Sequence, residues 1–265
     1  MQNPAFRNAA FQPGGQGAVA TMTSEELQDL YDRPSAQRPA TEPMTIQDSL
    51  AKSGLTFAVL LAGAVVGWLT APLVPMLWIG AAIVGFVFAL INIFKREPSP
   101  AMILIYAAAQ GVFLGGISLF YEAMLPGIVM QAVLATLVVV GVTLALFASG
   151  KIRASKRATK IFLIVMVAYL VFSLVNLVLM VTGVQTDPWG LRSSVTIAGI
   201  PLGVILGVLA VLLGAYSLVL DFDFIQRGVQ NAAPRKYGWT GAFGIMVTVI
   251  WLYLEILRLI AIARR

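Results

Sequence analysis

From residue 53 onward the chain is a succession of apolar runs separated by short polar breaks. The runs cover approximately 54–72, 75–94, 101–121, 128–149, 161–183, 196–220 and 239–262. Each is long enough to cross a hydrocarbon core of about 30 Å, which takes about 20 helical residues. The pattern predicts an all-α integral membrane protein, a bundle of seven transmembrane helices. The break Ala71-Pro72-Leu73-Val74-Pro75 is tight, so the first two segments should form an antiparallel hairpin.

Residues 1–48 lack this pattern. They are polar, rich in Pro, Gln, Ala and Gly, and contain no apolar run of signal-peptide type. Two regions follow: a disordered cytoplasmic tail over 1–48 and a seven-helix membrane domain over 49–265. Two short amphipathic helix starts stand out at the tail's end. Thr23-Ser24-Glu25-Glu26 fits a capping box, with Leu27, Leu30 and Tyr31 behind it, and Thr45-Ile46-Gln47-Asp48 leads towards the first segment.

Composition sharpens the picture. Of 265 residues, 59% are hydrophobic and 11% charged, where a soluble domain is about a quarter charged. Six carboxylates lie within the first 48 residues. The membrane part holds only Glu97, Glu122, Asp187, Asp221, Asp223 and Glu255 for any acid–base chemistry. There is no cysteine and no histidine, which excludes disulfides, thiolate nucleophiles, the usual zinc sites and Ser-His or Cys-His catalysis. No enzyme is expected. The net charge of +6 reads as membrane topology and not as nucleic-acid binding, because the cations sit in short loops.

Those loops set an orientation. Lys95 and Arg96 follow the second segment, Lys151, Arg153, Lys156, Arg157 and Lys160 the fourth, and Arg227, Arg235 and Lys236 the sixth; the alternate loops hold only Arg192. The positive-inside rule then predicts a multi-pass plasma-membrane protein with a cytoplasmic N-terminus. Seven full crossings would leave the terminal Arg264 and Arg265 on the poorly basic side. Either the seventh segment does not fully cross, or the other loops outvote its end.

Candidate packing and site residues lie in three stretches. Gly111 and Gly115 form a GxxxG in the third segment, a spacing that lets helices approach closely in lipid. In YSLVLDFDFIQRGVQN, Asp223 and Arg227 stand at i, i+4 and suit a surface ion pair, whereas Asp221 has Ser217 and Ile225 at those spacings. In WLYLEILRL, Glu255 and Arg258 stand at i, i+3. Glu255 is either Arg258's counter-charge or an acid turned into the bundle, as intramembrane acids commonly are.

YAAAQGVFLGGISLFYE, LVLDFDFIQRG and LYLEILRLI, in that order along seven segments, resemble the Bax inhibitor-1 family, in particular its bacterial members; the resemblance covers roughly 50–262. It implies that Asp221 and Glu255 are a hydrogen-bonded carboxylate pair whose protonation gates a calcium leak, with the seventh helix at the bundle's centre. Asp223, Arg227, Arg258 and Gln110 would support the pair; Gln110 stands where relatives often have an acid. Coupled titration of two acids in contact would supply the pH response, and their oxygens a candidate transient Ca²⁺ site. No resident cofactor is implied. Asp221 and Glu255 are 34 residues apart, and a helix entering plainly at Trp239 carries Glu255 about 24 Å along its axis. Contact therefore requires a re-entrant or interfacial turn over Gly238–Gly244. Such a turn would also return Arg264 and Arg265 to the basic side.

Two functions follow. One is a pH-sensitive calcium leak or ion-homeostasis regulator gated by that pair. The other is a non-conducting membrane partner of another complex, such as a quality-control protease, using the tail and the 151–160 loop. The lipid bilayer is the common partner; nucleic acid is not one.

Overall fold

The computed structural model describes Gln28 and residues 42–264. Seven long helices carry the apolar runs: α1 Ile46–Thr70, α2 Leu77–Phe94, α3 Pro100–Met124, α4 Ile128–Ala148, α5 Lys156–Val181, α6 Leu202–Gln230 and α7 Gly238–Ala263. All seven are long and apolar enough to span a bilayer, and the chain is a multi-pass membrane protein. The Thr23–Glu26 helix start lies outside the described residues. The Thr45 start is present: Thr45 Oγ1 accepts from the Asp48 amide at 3.1 Å and caps α1, which begins well before its apolar run.

Hydropathy misplaced one boundary in the sixth segment. Residues 196–201 are a two-stranded hairpin, β1 Thr196–Ile197 with β2 Ile200–Pro201, turned through Ala198 and Gly199 at φ 52° and 80°. The helix begins at Leu202 and runs ten residues past the apolar window to Gln230, so Asp221 and Asp223 lie inside it. Helix hydrogen bonding does not stop where the side chains turn polar.

The seventh helix also departs from expectation. Gly238 to Ala263 is one uninterrupted helix, and at 1.5 Å per residue its 26 residues span about 39 Å. There is no re-entrant turn. Gly238, Gly241 and Gly244 are helical and serve close packing instead. Arg264 Nη1 donates to the Pro126 carbonyl at 3.2 Å, in the α3–α4 connection, so α7 is long enough to cross fully and ends beside a poorly basic loop.

The bundle is built around α7, the most buried of the seven spans, which packs on α1, α3, α4 and α6. Tyr253 shares a 2.6 Å hydrogen bond with Ser118 of α3, and the Phe243 ring meets Tyr106 edge-on at 5.1 Å. α2 leans on α3 at the periphery, and α5 touches the bundle lightly through α6.

On the basic-loop side the chain ahead of α1 is strapped to the start of α7. The Met44 amide donates to Ala233 O, the Arg235 amide to Glu42 O, and the Arg235 guanidinium holds Glu42 and Asp48. The compact unit accordingly starts at Glu42. Lys236 donates to Glu97 at 2.7 Å, and this hydrogen bond holds the exposed Glu97 carboxyl below the ordinary glutamate range. A depressed acid contributes stability above its unfolded pKa and loses it as pH falls, so this link between loops weakens only in acid.

Candidate functional site

The seam between α6 and α7 positions every candidate acid. Seven residues, 231–237, join the two helices, so they must run back antiparallel in close register. Missing side chains mark that register. A Cβ at Gly203 would meet Ile262, at Gly207 Leu259, at Gly214 Leu252, and at Gly241 Ile225. Facing positions thus sum to about 466, centred on the short connection.

Asp221 faces Gly244 in this register. A Cβ there would stand 2.6 Å from Asp221 Oδ1, so the glycine makes the space that the carboxyl occupies. Thr248 Oγ1, one turn further along α7, donates to Asp221 Oδ2 at 2.7 Å and lies 3.1 Å from Ser217 Oγ. The result is a row of oxygens, Ser217–Thr248–Asp221, at the seam. Among the described residues Asp221 makes no ion pair. Its neighbour Asp223 pairs instead with the exposed Arg227 at 2.7 Å.

Glu255 lies in a different layer. It is 4% exposed, and its Oε1 accepts from Arg258 Nη1 at 2.8 Å. Oε2 is buried without a hydrogen bond, and Arg192 Nη1 is 3.6 Å from it. Arg192 is itself 5% exposed; it donates to Tyr169 Oη at 2.9 Å and to Ser173 Oγ at 2.7 Å, both on α5. Asn176 of α5 fixes the loop that carries it. Its Oδ1 accepts from the Leu191 amide at 2.7 Å, and its Nδ2 donates to the Trp189 carbonyl at 3.3 Å. Gly190, at φ 61°, lies so close that a Cβ would be 2.3 Å from that Oδ1.

The two acids are therefore not a pair. With Gly214 on Leu252 and Gly207 on Leu259, Glu255 is level with residues 210–211, about 15 Å along α6 from Asp221. The short connection decides this: a contact between residues 221 and 255 would need its midpoint near 238, inside α7. Nor can one Ca²⁺ sit on both, since its oxygen ligands lie at 2.3–2.6 Å. Among the described residues no group of three acids, histidines or cysteines forms a metal cluster. Both readings of Glu255 hold in part. It is Arg258's counter-charge and it also faces inwards, with Arg192 as its second cation.

The supporting residues separate likewise. Gln110 of α3 lies against Gly85 of α2, away from both acids. Gly111 and Gly115 meet Gly63 and Ala64 of α1, where added Cβ atoms would stand 2.2 Å from Leu60 O and 2.0 Å from Ala64 O. The sequence reading missed Arg192, Tyr169, Ser173 and Thr248. Only Arg192 carried a signal, as the single cation in three otherwise uncharged-to-acidic loops.

A family model described as Bax inhibitor 1 like matches residues 3–265, nearly the whole chain. No curated protein matches it.

Proposed function

The chain belongs to the Bax inhibitor 1 like family, and from that premise we propose that it is a cation leak of the plasma membrane, with calcium as the cation, whose gate is the Ser217–Thr248–Asp221 row. Its N-terminus and basic loops face the cytoplasm. The observation that carries this reading is Asp221: a half-buried carboxyl between two membrane-spanning helices, bonded to a hydroxyl and matched by no cation among the described residues. Intramembrane acids are costly, and where they persist they commonly mark ion or proton paths. Ionised, Asp221 offers hard oxygens to a passing divalent cation. Protonated, it becomes a neutral member of a hydroxyl row and offers none. The proton thus acts on Asp221 alone, not on a shared carboxylate pair. Further along α7, Glu255 with Arg258 and Arg192 forms a charged block between that row and the far side.

The test is calcium flux into proteoliposomes across the neutral pH range. Wild type should leak with a pH dependence that Asp221→Asn abolishes. Gly244→Ala, which pushes a methyl into the space of Oδ1, should alter the leak without removing the acid. Glu255→Gln should change its size but leave the pH dependence in place, because the two acids are apart. A wild type no leakier than empty liposomes sinks the channel reading. The second reading, a non-conducting membrane partner, has its own support: Lys151, Lys156, Arg157 and Lys160 are exposed and make no ion pair among the described residues. It predicts that neutralising this loop disrupts a complex while leaving any flux unchanged.

A further inference from the structure

Between α5 and α7, closed at one end by the 188–192 loop, lies a cavity of about 590 Å³. It has two kinds of wall. Leu170, on the α5 side, is 67% exposed and faces where acyl chains would run. The inner end presents Arg192, Glu255 and Arg258, with Ser173 and Tyr169 around them. Arg258 is five residues from the end of α7, about 8 Å, which sets these charges near the boundary between hydrocarbon and headgroups.

We infer that this cavity is a binding site for a membrane phospholipid whose headgroup carries a hydrogen-bond donor. Two guanidiniums against one carboxylate leave a net positive end suited to a phosphate, and Arg258, committed to Glu255 through Nη1, has further N–H groups for it. Glu255 Oε2 states the other half of the requirement: a buried acceptor left without a hydrogen bond calls for a donor. The ammonium of an ethanolamine headgroup or the hydroxyls of a glycerol headgroup supply one; a choline headgroup has the phosphate but no donor. The chains then lie along Leu170 and the outer face of α5. The site shares Glu255 with the charged block proposed above but needs no conduction, so either reading can fail alone.

The experiment uses the full chain in detergent micelles, with lipid retention read by native mass spectrometry. Phosphatidylethanolamine and phosphatidylglycerol should be held roughly tenfold more tightly than phosphatidylcholine of the same chains, the worth of one charge-assisted hydrogen bond. Arg258→Gln should weaken all three, and Leu170→Trp, made at a side chain outside the packed core, should weaken them by filling the mouth. Equal retention of the choline lipid overturns the inference, as does indifference to Leu170→Trp. Displacement by inorganic phosphate as effective as by lipid would reassign the site to a soluble anion and overturn it too.

Discussion

Glu255→Ala should be among the most destabilising single changes in this protein, costing about 3–5 kcal/mol, the usual penalty for breaking a buried ion pair from one side. The cost arises from what remains. Arg258 can swing its partly exposed guanidinium outwards, because its side chain is near the end of α7. Arg192 cannot. It is itself buried and held by Tyr169 and Ser173, and without Glu255 it loses the carboxylate that stands 3.6 Å from its Nη1.

The measurement is a thermal melt in detergent for three variants. Glu255→Gln, which keeps an oxygen for Arg258, should fall less than Glu255→Ala. Glu255→Ala combined with Arg192→Met should recover a large part of the loss, since removing both charges removes the orphan as well. Additive losses in the double variant would mean that Arg192 and Glu255 do not interact, and the two-arginine description of the site would be wrong.

The seven spans were legible because hydropathy reports solvent, and lipid is the solvent here. Their ends were less so, for a physical reason visible in α6: apolar windows close at Asp221, while backbone hydrogen bonding continues to Gln230. The pairing of acids failed on register. The spacing of Asp221 and Glu255 invited a re-entrant turn in α7, yet a connection as short as 231–237 already forces residue 221 opposite 244 and leaves 255 opposite 210–211. That constraint could have been read from Gly203, Gly207, Gly214, Gly241 and Gly244, which interlock across the seam. Arg192 could not be placed in advance. Its burial depends on a loop folded by Asn176 and a left-handed glycine, a tertiary arrangement with no periodic trace.

Glycines supply the second large effect, and its sign should depend on where they stand. Gly115→Val should destabilise by about 3 kcal/mol, the upper part of the range for overpacking a tight contact. A Cβ at that position would be 2.0 Å from the Ala64 carbonyl oxygen and 2.6 Å from the Trp68 amide, and both belong to backbone that no rotamer change can move. The reciprocal pair Gly63 and Gly67 on α1 closes the same contact: a Cβ at Gly67 would come within 2.1 Å of Val112 O. α1 and α3 must therefore separate as helices, in a medium where close van der Waals packing is a main force holding them together. Gly80 in α2 and Gly141 in α4 are the controls, with nothing within 4 Å of an added Cβ. There alanine should be neutral or stabilise by about 0.5–1 kcal/mol through helix propensity. Melting temperatures that fall for Gly115→Val and hold or rise for Gly141→Ala would assign the loss to the α1–α3 contact. A comparable fall in both would show that these glycines matter for flexibility or insertion and not for packing.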